Sequence, residues 1–149
     1  MKESAMEPDL VVRTRDECIA RMAGLIREGF GVKGYEDLVE SLLERESVLS
    51  TGIGDGIAIP HTTSEEVEEA AIAVARVRRG LEFNAIDGKP VHIIFLIVGS
   101  EKHPNLHLRI LARLARLVKH PSFIRALKKS KSANEMLRSI KDEENRHIV

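Results

Sequence analysis

This sequence contains little of what disulfide-bonded or nucleic-acid-binding proteins need. Of its 149 residues only Cys18 is a cysteine, so no internal disulfide or cysteine-based zinc site can form, and the cytoplasm is the expected compartment. Tryptophan is absent and aromatic residues make up 3%, which argues against stacking on nucleic-acid bases. Lys plus Arg and Asp plus Glu are both 23, so the formal net charge is zero. A neutral chain is not expected to bind nucleic acid or membranes through bulk electrostatics.

Long apolar runs are also missing. None exceeds six residues, the length of the run 93–98, whereas a membrane-spanning helix needs about 20 consecutive apolar residues. The polar start of the chain has no secretory signal, and we expect residues 1–9 to be a loose tail. Residues 143–149 are expected to be a frayed C-terminus. The length and composition predict a single domain over residues 1–149.

Helix-start signals and helical periodicity divide much of the chain. Thr14 with Glu17, and Ser132 with Glu135, have the spacing of a capping box, in which an acid follows the capping hydroxyl three residues on. Apolar residues that recur every three to four positions predict the helices themselves. They are expected at residues 15–29, 35–46, 105–119, 121–129 and from 132 onward.

Shorter apolar runs predict the strands. Residues 91–98 lie between Pro90 and Gly99 and are the most apolar run, so we expect a central strand buried on both faces. A turn is expected at Arg79 and Gly80. Other strands are expected at residues 10–12, 57–59, 70–78 and 81–83. Because strands and helices mingle along the chain, the predicted class is α/β, with a mixed β-sheet flanked by helices.

The chain is organised around a glycine-rich stretch that ends in a histidine. Glycine occupies every second position of residues 52–56, which lets the backbone turn or approach another group closely. The apolar run 57–59 predicts a buried strand that ends at Pro60, because proline has no N–H to donate. His61 is then held by a rigid element at the mouth of that strand. It is a candidate proton carrier, nucleophile or ligand.

Several common sites are excluded by spacing. A dinucleotide-binding Gly-x-Gly-x-x-Gly would need glycine at Ile57, and neither a P-loop nor a Gly-x-Ser-x-Gly elbow is present. His103 and His107 are four residues apart, as zinc ligands on a helix can be. However, His103 precedes Pro104 and no acidic residue accompanies it on the same face. We therefore predict no metal site.

Periodicity places two further side chains near apolar stripes. Arg45 lies beside the stripe of the second helix, and Glu46 lies near its middle. Either that helix ends here in a frayed turn, or the two residues point inward. His107 heads the apolar face of its helix, a position compatible with a packed core histidine and with a functional one. The pattern leaves open whether His61, Arg45 and His107 form one site.

One combination of residues is specific. The Gly-Ile-Ala-Ile-Pro-His sequence at residues 56–61, with Arg45 sixteen residues before the histidine, resembles the signature of the enzyme IIA domains of the bacterial phosphoenolpyruvate-dependent sugar phosphotransferase system. The likeness is to the fructose, mannitol and nitrogen-regulatory (type 2) class, and it implies the fold of those enzyme IIA domains. It continues through residues 81–91 and 105–108 and covers residues 10–142.

The resemblance implies a role for each candidate. His61 matches the family's phosphoryl acceptor, Arg45 matches the arginine near the phosphoryl group, and His107 matches the helix-borne histidine that accompanies it. The chemistry agrees, because a neutral imidazole is a nucleophile toward phosphorus and an arginine fork holds phosphate oxygens. No metal or organic cofactor is implied.

Three further residues are expected around the phosphate. Gly54 and Gly56 offer backbone N–H groups. Thr62 and Thr63 follow the histidine, where the family often has glycine. The Thr62 hydroxyl either donates to the phosphate or slows turnover.

The resemblance leaves two main functions open. In the first, a phosphotransferase component accepts phosphate from the phosphorylated histidine-containing carrier protein onto His61 and passes it to a cysteine of a separate enzyme IIB. In the second, a regulatory, nitrogen-type enzyme IIA switches its binding to a kinase, transporter or transcription factor when phosphorylated. A third alternative is a domain that only binds. No nucleic-acid partner and no direct membrane insertion are expected, and the sugar cannot be predicted from a domain that handles only phosphate.

Overall fold

The computed structural model describes residues 5–146, which form a six-stranded mixed sheet between two layers of helices. β6 pairs antiparallel with β5 and parallel with β3 and β4, so the predicted α/β class with a mixed sheet is confirmed. In chain order the elements are β1 (Met6–Glu7), α1 (Arg15–Phe30), α2 (Tyr35–Val48), β2 (Gly52–Gly54), β3 (Ile57–Ala58), β4 (His61–Ser64), β5 (Ala70–Leu81), β6 (Val91–Ser100), α3 (Pro104–Leu117), α4 (Pro121–Lys129) and α5 (Ala133–Arg146).

β6 lies at the centre of the sheet, as its apolar sequence predicts. The strand order is β1-β5-β6-β3-β2, and β4 also pairs with β6. Alternate side chains of β6 enter two different cores. Ile94 and Leu96 pack with α1 and α2, whereas Ile93 and Phe95 pack with α3, α4 and α5. Burial on both faces explains why the run is continuous rather than alternating.

β3 and β4 lie in one line alongside β6 with a constant register. Ala58 is opposite Ile94, and His61 is opposite Ile97. Pro60 lies in the gap between the two strands, where it lacks an N–H to donate but still accepts from Ile97 N at 3.0 Å. As expected, β3 ends before Pro60, although at Ala58 rather than Ile59. The proline interrupts the ladder, the chain continues in line, and His61 begins β4.

The helix boundaries follow the predicted capping signals. Thr14 Oγ1 accepts from the backbone N–H of Glu17 at 3.1 Å, and α1 ends at Gly31 with φ 66°. Ser132 Oγ accepts from the N–H of Glu135 at 3.1 Å before α5. α4 has the predicted bounds, and the ends of α2 and α3 each differ from prediction by two residues. Within residues 5–146, no helix is both long and apolar enough to cross a membrane.

The N-terminal prediction is wrong where the structure tests it. Residues 5–9 are ordered, and Met6 is buried opposite Val74 in the parallel pair of β1 with β5. β1 satisfies the backbone groups on this edge of β5, and burial of Met6 removes apolar area from water. Residues 1–4 lie outside the described part.

The predicted strands at residues 10–12 and 81–83 and the predicted turn between residues 78 and 81 are also wrong. Residues 10–12 form no strand, although Leu10 is buried and its N–H donates to Arg76 O at 3.0 Å. The expected turn at Arg79 and Gly80 is instead part of β5, which continues to Leu81. A register shift between Arg76 and Leu81, with φ 80° at Gly80, gives an irregularity of the β-bulge type.

α5 extends into the region expected to fray. It continues to Arg146, and Glu143 is only 3% exposed. The buried residues Met136, Ile140 and Glu143 follow one another at helical spacing, so the packed face of the helix persists beyond residue 142. The prediction of a frayed end is thus wrong for residues 143–146, and residues 147–149 lie outside the described part.

Candidate functional site

His61 is the first residue of β4 and is held by its own backbone neighbourhood. Its Nδ1 lies 2.8 Å from the carbonyl oxygen of Ile59. Because a carbonyl only accepts, we assign the ring proton to Nδ1, which donates to Ile59. Nε2 therefore carries a lone pair, as a nucleophilic imidazole requires.

Arg45 lies in the last turn of α2 and contacts this nitrogen. Its Nη2 is 3.2 Å from Nε2 of His61. A guanidinium has no acceptor, so Arg45 donates and Nε2 accepts, in agreement with the tautomer assigned above. α2 and α3 pack on opposite faces of the sheet, and Arg45 approaches His61 from the α2 side. Its planar fork can hold an anion attached to Nε2.

Glu46 fixes the connection between α2 and the glycine-rich stretch. It is only 3% exposed and accepts from the Thr51 backbone N–H at 2.9 Å and from the Thr51 hydroxyl at 2.5 Å. These bonds keep a buried carboxylate paired. Of the alternatives left open by the sequence, α2 continues to Val48, Glu46 points inward, and Arg45 stays exposed.

His107 lies in the first turn of α3, on the other side of His61 from Arg45's helix. The two imidazole rings are 5.8 Å apart between centroids, with 47° between their planes. His107 is 8% exposed, and its Nδ1 is buried without a hydrogen-bond partner. A buried N–H without an acceptor is costly, so we assign the proton to Nε2. In this tautomer the Nε2–H of His107 can donate a hydrogen bond, and the lone pair of Nδ1 has no donor.

The charge of His107 is also controlled by its surroundings. Burial lowers the pKa of His107 below its ordinary value, and electrostatic interactions with His61 and with the Arg45 guanidinium lower it further. This histidine is therefore disposed to remain a neutral donor beside the reacting nitrogen. The structure therefore brings His61, Arg45 and His107 together, whereas the sequence pattern left their proximity open.

Gly99 makes room for the His107 ring, and sequence reasoning missed this. A Cβ built on Gly99 would lie less than 3.0 Å from Nδ1, Cγ and Cβ of His107. Gly99 lies inside β6 without a positive φ, so its backbone conformation does not require glycine. The sequence pattern treated it as the end of an apolar strand. The available signal was a glycine in a strand, which often marks a close approach of another group.

We expect Gly99→Ala to displace His107. The clash should lower the free energy of unfolding by about 1–3 kcal/mol, as overpacking does in other cores, and should slow any reaction at His61. Urea denaturation of the wild type, Gly99→Ala, His107→Ala and the double variant measures the coupling. Because His107→Ala removes the clashing ring, the double variant should be more stable than additivity predicts. Additive destabilisation would mean that Gly99 serves another purpose.

The Thr62 side chain is engaged on the other face of the strand. Its hydroxyl lies 2.5 Å from Ser41 Oγ of α2. Since successive side chains of a strand alternate, Thr62 points away from the face that His61 shares with Ile97. The expectation that Thr62 donates to a phosphate on His61 is therefore not supported. Ser41, one helical turn before Arg45, was missed by the sequence analysis because its hydroxyl has no recognisable local pattern.

Gly54 and Gly56 lie at the wrong end of the strand line to surround a phosphate on His61. The carbonyl of Gly56 accepts from the N–H groups of His92 and Ile93, whereas His61 is opposite Ile97. Four residues along β6 correspond to about 13 Å. Their backbone N–H groups are too distant, and the prediction for both glycines is corrected.

The chemistry that this arrangement supports is nucleophilic. Nε2 of His61 has a lone pair, a guanidinium beside it and a neutral imidazole within reach. A doubly charged phosphoryl group on Nε2 would meet donors on two sides. Among residues 5–146, no three His, Cys, Asp or Glu side chains cluster as they would around a metal ion.

Comparison with known proteins agrees with this geometry. The family described as "Phosphoenolpyruvate-dependent sugar phosphotransferase system, EIIA 2" matches residues 1–143. A fructose-specific EIIABC component of the phosphotransferase system from Bacillus subtilis (strain 168) is 32% identical over 125 residues. That match covers 84% of this chain but only 20% of the relative, so this chain spans about a fifth of that protein's length.

Two solved structures share the fold. The nitrogen regulatory protein IIA-Ntr from Neisseria meningitidis has a TM-score of 0.86 and 32% sequence identity, covering 93% of this chain and 94% of that one. Enzyme IIA mannitol from Escherichia coli, in a complex with phosphorylated enzyme IIB mannitol, has a TM-score of 0.80 and 19% identity, covering 95% and 97%. The resemblance drawn from the sequence is confirmed. This chain belongs to the EIIA type 2 family of the phosphoenolpyruvate-dependent sugar phosphotransferase system.

Proposed function

We propose that this protein carries a phosphoryl group on Nε2 of His61, between the phosphorylated histidine-containing carrier protein and a cysteine of a separate enzyme IIB. The observation that supports this most directly is the environment of His61. Nδ1 donates to Ile59 O at 2.8 Å, and Nε2 faces Arg45 Nη2 at 3.2 Å. Nδ1 is thus protonated, and Nε2 keeps the lone pair beside a cation. In this role the protein works in the cytoplasm.

The first transfer is a displacement at phosphorus. The lone pair of His61 Nε2 forms the new N–P bond, while the N–P bond of the donor's phosphohistidine breaks and its electrons return to the donor's imidazole. Arg45 holds the phosphoryl oxygens as charge spreads over them. The Nδ1–H of His61 stays on Ile59 O, which supports the positive charge that the ring acquires.

The second transfer reverses the role of His61. The thiolate of the acceptor cysteine attacks phosphorus, an S–P bond forms, and the N–P bond to Nε2 breaks. The electrons of that bond restore the lone pair on Nε2, so the carrier returns to its starting state. The E. coli IIA–IIB complex, which shares the fold, supports an enzyme IIB as the acceptor.

His107 acts as a neutral hydrogen-bond donor in both steps. Its Nε2–H is available because Nδ1 has no acceptor, and its ring is 5.8 Å from that of His61 between centroids. A proton that stays on His107 gives stabilisation without quenching the nucleophile. Its place in the first turn of α3 adds the positive end of a helix dipole on the same side.

We expect the pKa of His107, followed by NMR, to lie below about 6.5 in the unphosphorylated protein. Because the folded protein binds this proton less readily than the unfolded chain, this histidine's contribution to stability is complete above that value. It is lost as pH falls toward the folded-state pKa. His107→Gln should lack this part of the pH dependence in urea denaturation. A phosphoryl dianion on His61 should raise the pKa of His107. A pKa of His107 that is the same before and after phosphorylation would contradict the donor role.

The regulatory alternative has an observation of its own in its favour. At 32% identity the N. meningitidis nitrogen regulatory protein IIA-Ntr is covered over 94% of its length. In that alternative, phosphate on His61 changes binding to a kinase, transporter or transcription factor and need not move on.

A phosphotransfer assay separates these functions. The protein is labelled by the phosphorylated carrier protein of its source organism, isolated, and mixed with each enzyme IIB of that organism. A transport carrier loses its label to a IIB cysteine, whereas a regulator keeps the label on His61. If no label enters His61, the phosphoryl-carrier proposal is wrong and the binding-only alternative stands.

A further inference from the structure

α2 carries an apolar row and an acidic row side by side. Both rows have the four-residue spacing that keeps side chains on one face of a helix, and each extends about 12 Å along the axis. We call the two rows together the α2 flank. Its apolar row is Tyr35, Val39 and Leu43, and its acidic row is Glu36, Glu40 and Glu44. The six side chains line a surface depression of about 600 Å³.

The α2 flank lies on the other edge of the helix from the reacting site. Arg45 contacts Nε2 of His61 from one edge of the buried face of α2. At about 100° per residue, the buried Leu42 lies about 60° around the helix from Arg45, and Leu43 lies about 100° further in the same direction. On that side the Tyr35 hydroxyl donates to a backbone carbonyl of α1 at 2.8 Å. The flank therefore borders α1, and a molecule seated on it need not touch His61.

The acidic row is not neutralised by the protein itself. Glu36, Glu40 and Glu44 are exposed, and none of the three forms an ion pair within residues 5–146. Like charges four residues apart on a helix repel one another, so the row destabilises α2 in the free protein. Glu36 is in the first turn, where the helix dipole favours an acid, but Glu40 and Glu44 lie beyond it. A cationic partner would remove this repulsion.

The apolar row remains partly accessible. Tyr35, Val39 and Leu43 pack against the core below α2 without being fully buried. The guanidinium of Arg27 lies 4.3 Å from the centroid of the Tyr35 ring and borders the row at its N-terminal end. Even with this one cation, the three glutamates leave the flank negative. An apolar line with an acidic border is complementary to an apolar line bordered by lysine or arginine.

The backbone of α2 limits the shape of the occupant. The N–H and C=O groups inside a helix bond to one another, so α2 offers no ladder to an added strand. Helices instead pack on helices through ridges of side chains, and rows with four-residue spacing are such ridges. Nucleic acids and phosphorylated small molecules would be repelled by the acidic row. The flank therefore fits a second helix.

We propose that the α2 flank is the docking site for a basic amphipathic helix of another protein. Apolar side chains of the partner helix pack into the row of Tyr35, Val39 and Leu43. Its lysines or arginines pair with the acidic row beside it. The proposal uses no chemistry of His61, so it holds whether or not phosphate is passed on from this domain.

A synthetic helix tests the recognition. The probe is a fluorescently labelled peptide of leucine, lysine and alanine, about 15 residues long so that a helix can form. It has leucine at every fourth position and lysine after each leucine. A scrambled peptide of the same composition is its control, because it keeps the charge but has no apolar line. Fluorescence anisotropy gives the dissociation constant with the full chain.

Glu40→Lys separates binding from folding. It places a lysine four residues from both Glu36 and Glu44, so attraction replaces repulsion and the variant should be at least as stable as the wild type in urea denaturation. It should nevertheless weaken peptide binding by about tenfold at low salt, and less at high salt. Glu68→Lys makes the same change in net charge at an exposed position outside the flank, and should bind the peptide as the wild type does.

Several results would overturn the docking proposal. Undetectable binding would do so, and equal weakening by both variants or equal binding of the scrambled peptide would show attraction to charge alone. Amide resonances perturbed by the peptide should lie in α2 and the adjoining part of α1, and perturbations centred elsewhere would place the site elsewhere.

Sedimentation velocity of the protein alone tests a different occupant, a second copy of this chain. A dimer that Glu40→Lys dissociates would assign the flank to self-association and overturn the proposal. A monomer that binds the peptide through Glu40 upholds it.

Discussion

His61→Ala is expected to abolish phosphorylation by the phosphorylated carrier protein. Alanine removes Nε2, the nitrogen whose lone pair accepts from Arg45 Nη2 at 3.2 Å and that attacks phosphorus in the proposed reaction. The methyl group that remains has no nucleophilic atom, so the loss should be complete rather than partial. Transfer of radiolabelled phosphate to the purified variant, followed on a gel under conditions that preserve phosphohistidine, measures it.

His103→Ala is the matched control for that experiment. His103 is exposed and immediately precedes α3, the helix that carries His107, so it offers another accessible imidazole. Its replacement should leave labelling at the wild-type level. Thermal unfolding followed by circular dichroism should show that both variants remain folded. Labelling that persists in His61→Ala, or that disappears in His103→Ala, would contradict the assignment of the acceptor.

Arg45→Ala is expected to slow phosphoryl transfer by about 10²-fold or more while leaving the fold intact. Arg45 is exposed, so truncation creates no cavity. The contact that it loses is with the reacting nitrogen of His61. Phosphoryl transfer depends chiefly on positioning and on charge stabilisation, and a cation beside the phosphoryl oxygens supplies both. Rapid-quench measurement of single-turnover labelling gives the rate.

Arg45→Lys provides the control for charge alone. Lysine keeps the positive charge but lacks the planar fork, so its rate should fall between those of the wild type and Arg45→Ala. A substitution that lowers the melting temperature in proportion to its loss of activity would assign Arg45 a structural role. His107→Ala should slow transfer to a similar degree, because it removes the second donor.

The sequence predicted those parts of the fold that depend on local signals. The hydroxyls of Thr14 and Ser132 cap their helices as their spacing indicates. The apolar run of β6 is central and buried on both faces. These features follow from backbone capping and from apolar periodicity, which neighbouring residues determine.

Long-range pairing explains the features that the sequence did not predict. A proline is a reliable local signal for the loss of one N–H, yet β6 continues to pair on both sides of Pro60. Residues near the N-terminus have no strong strand pattern, but the edge of β5 pairs with Met6. Gly80 is a turn residue by sequence, yet it lies inside β5, because Leu81 pairs with Val91 of β6 beyond it. In each case the partner is distant in the chain.

By itself the sequence determined the fold class, the family and the three residues worth testing. Capping signals, apolar periodicity and a specific motif are local patterns that can be recognised within short segments of the sequence. Only the tertiary structure decided how those residues meet. It placed Arg45 against Nε2 of His61, directed Glu46 inward to Thr51, and set Gly99 beneath His107. It also removed Gly54 and Gly56 from the site. These arrangements depend on the register of the strands and on where the helices cross the sheet. Both are determined by the burial of two hydrophobic cores on opposite faces of β6.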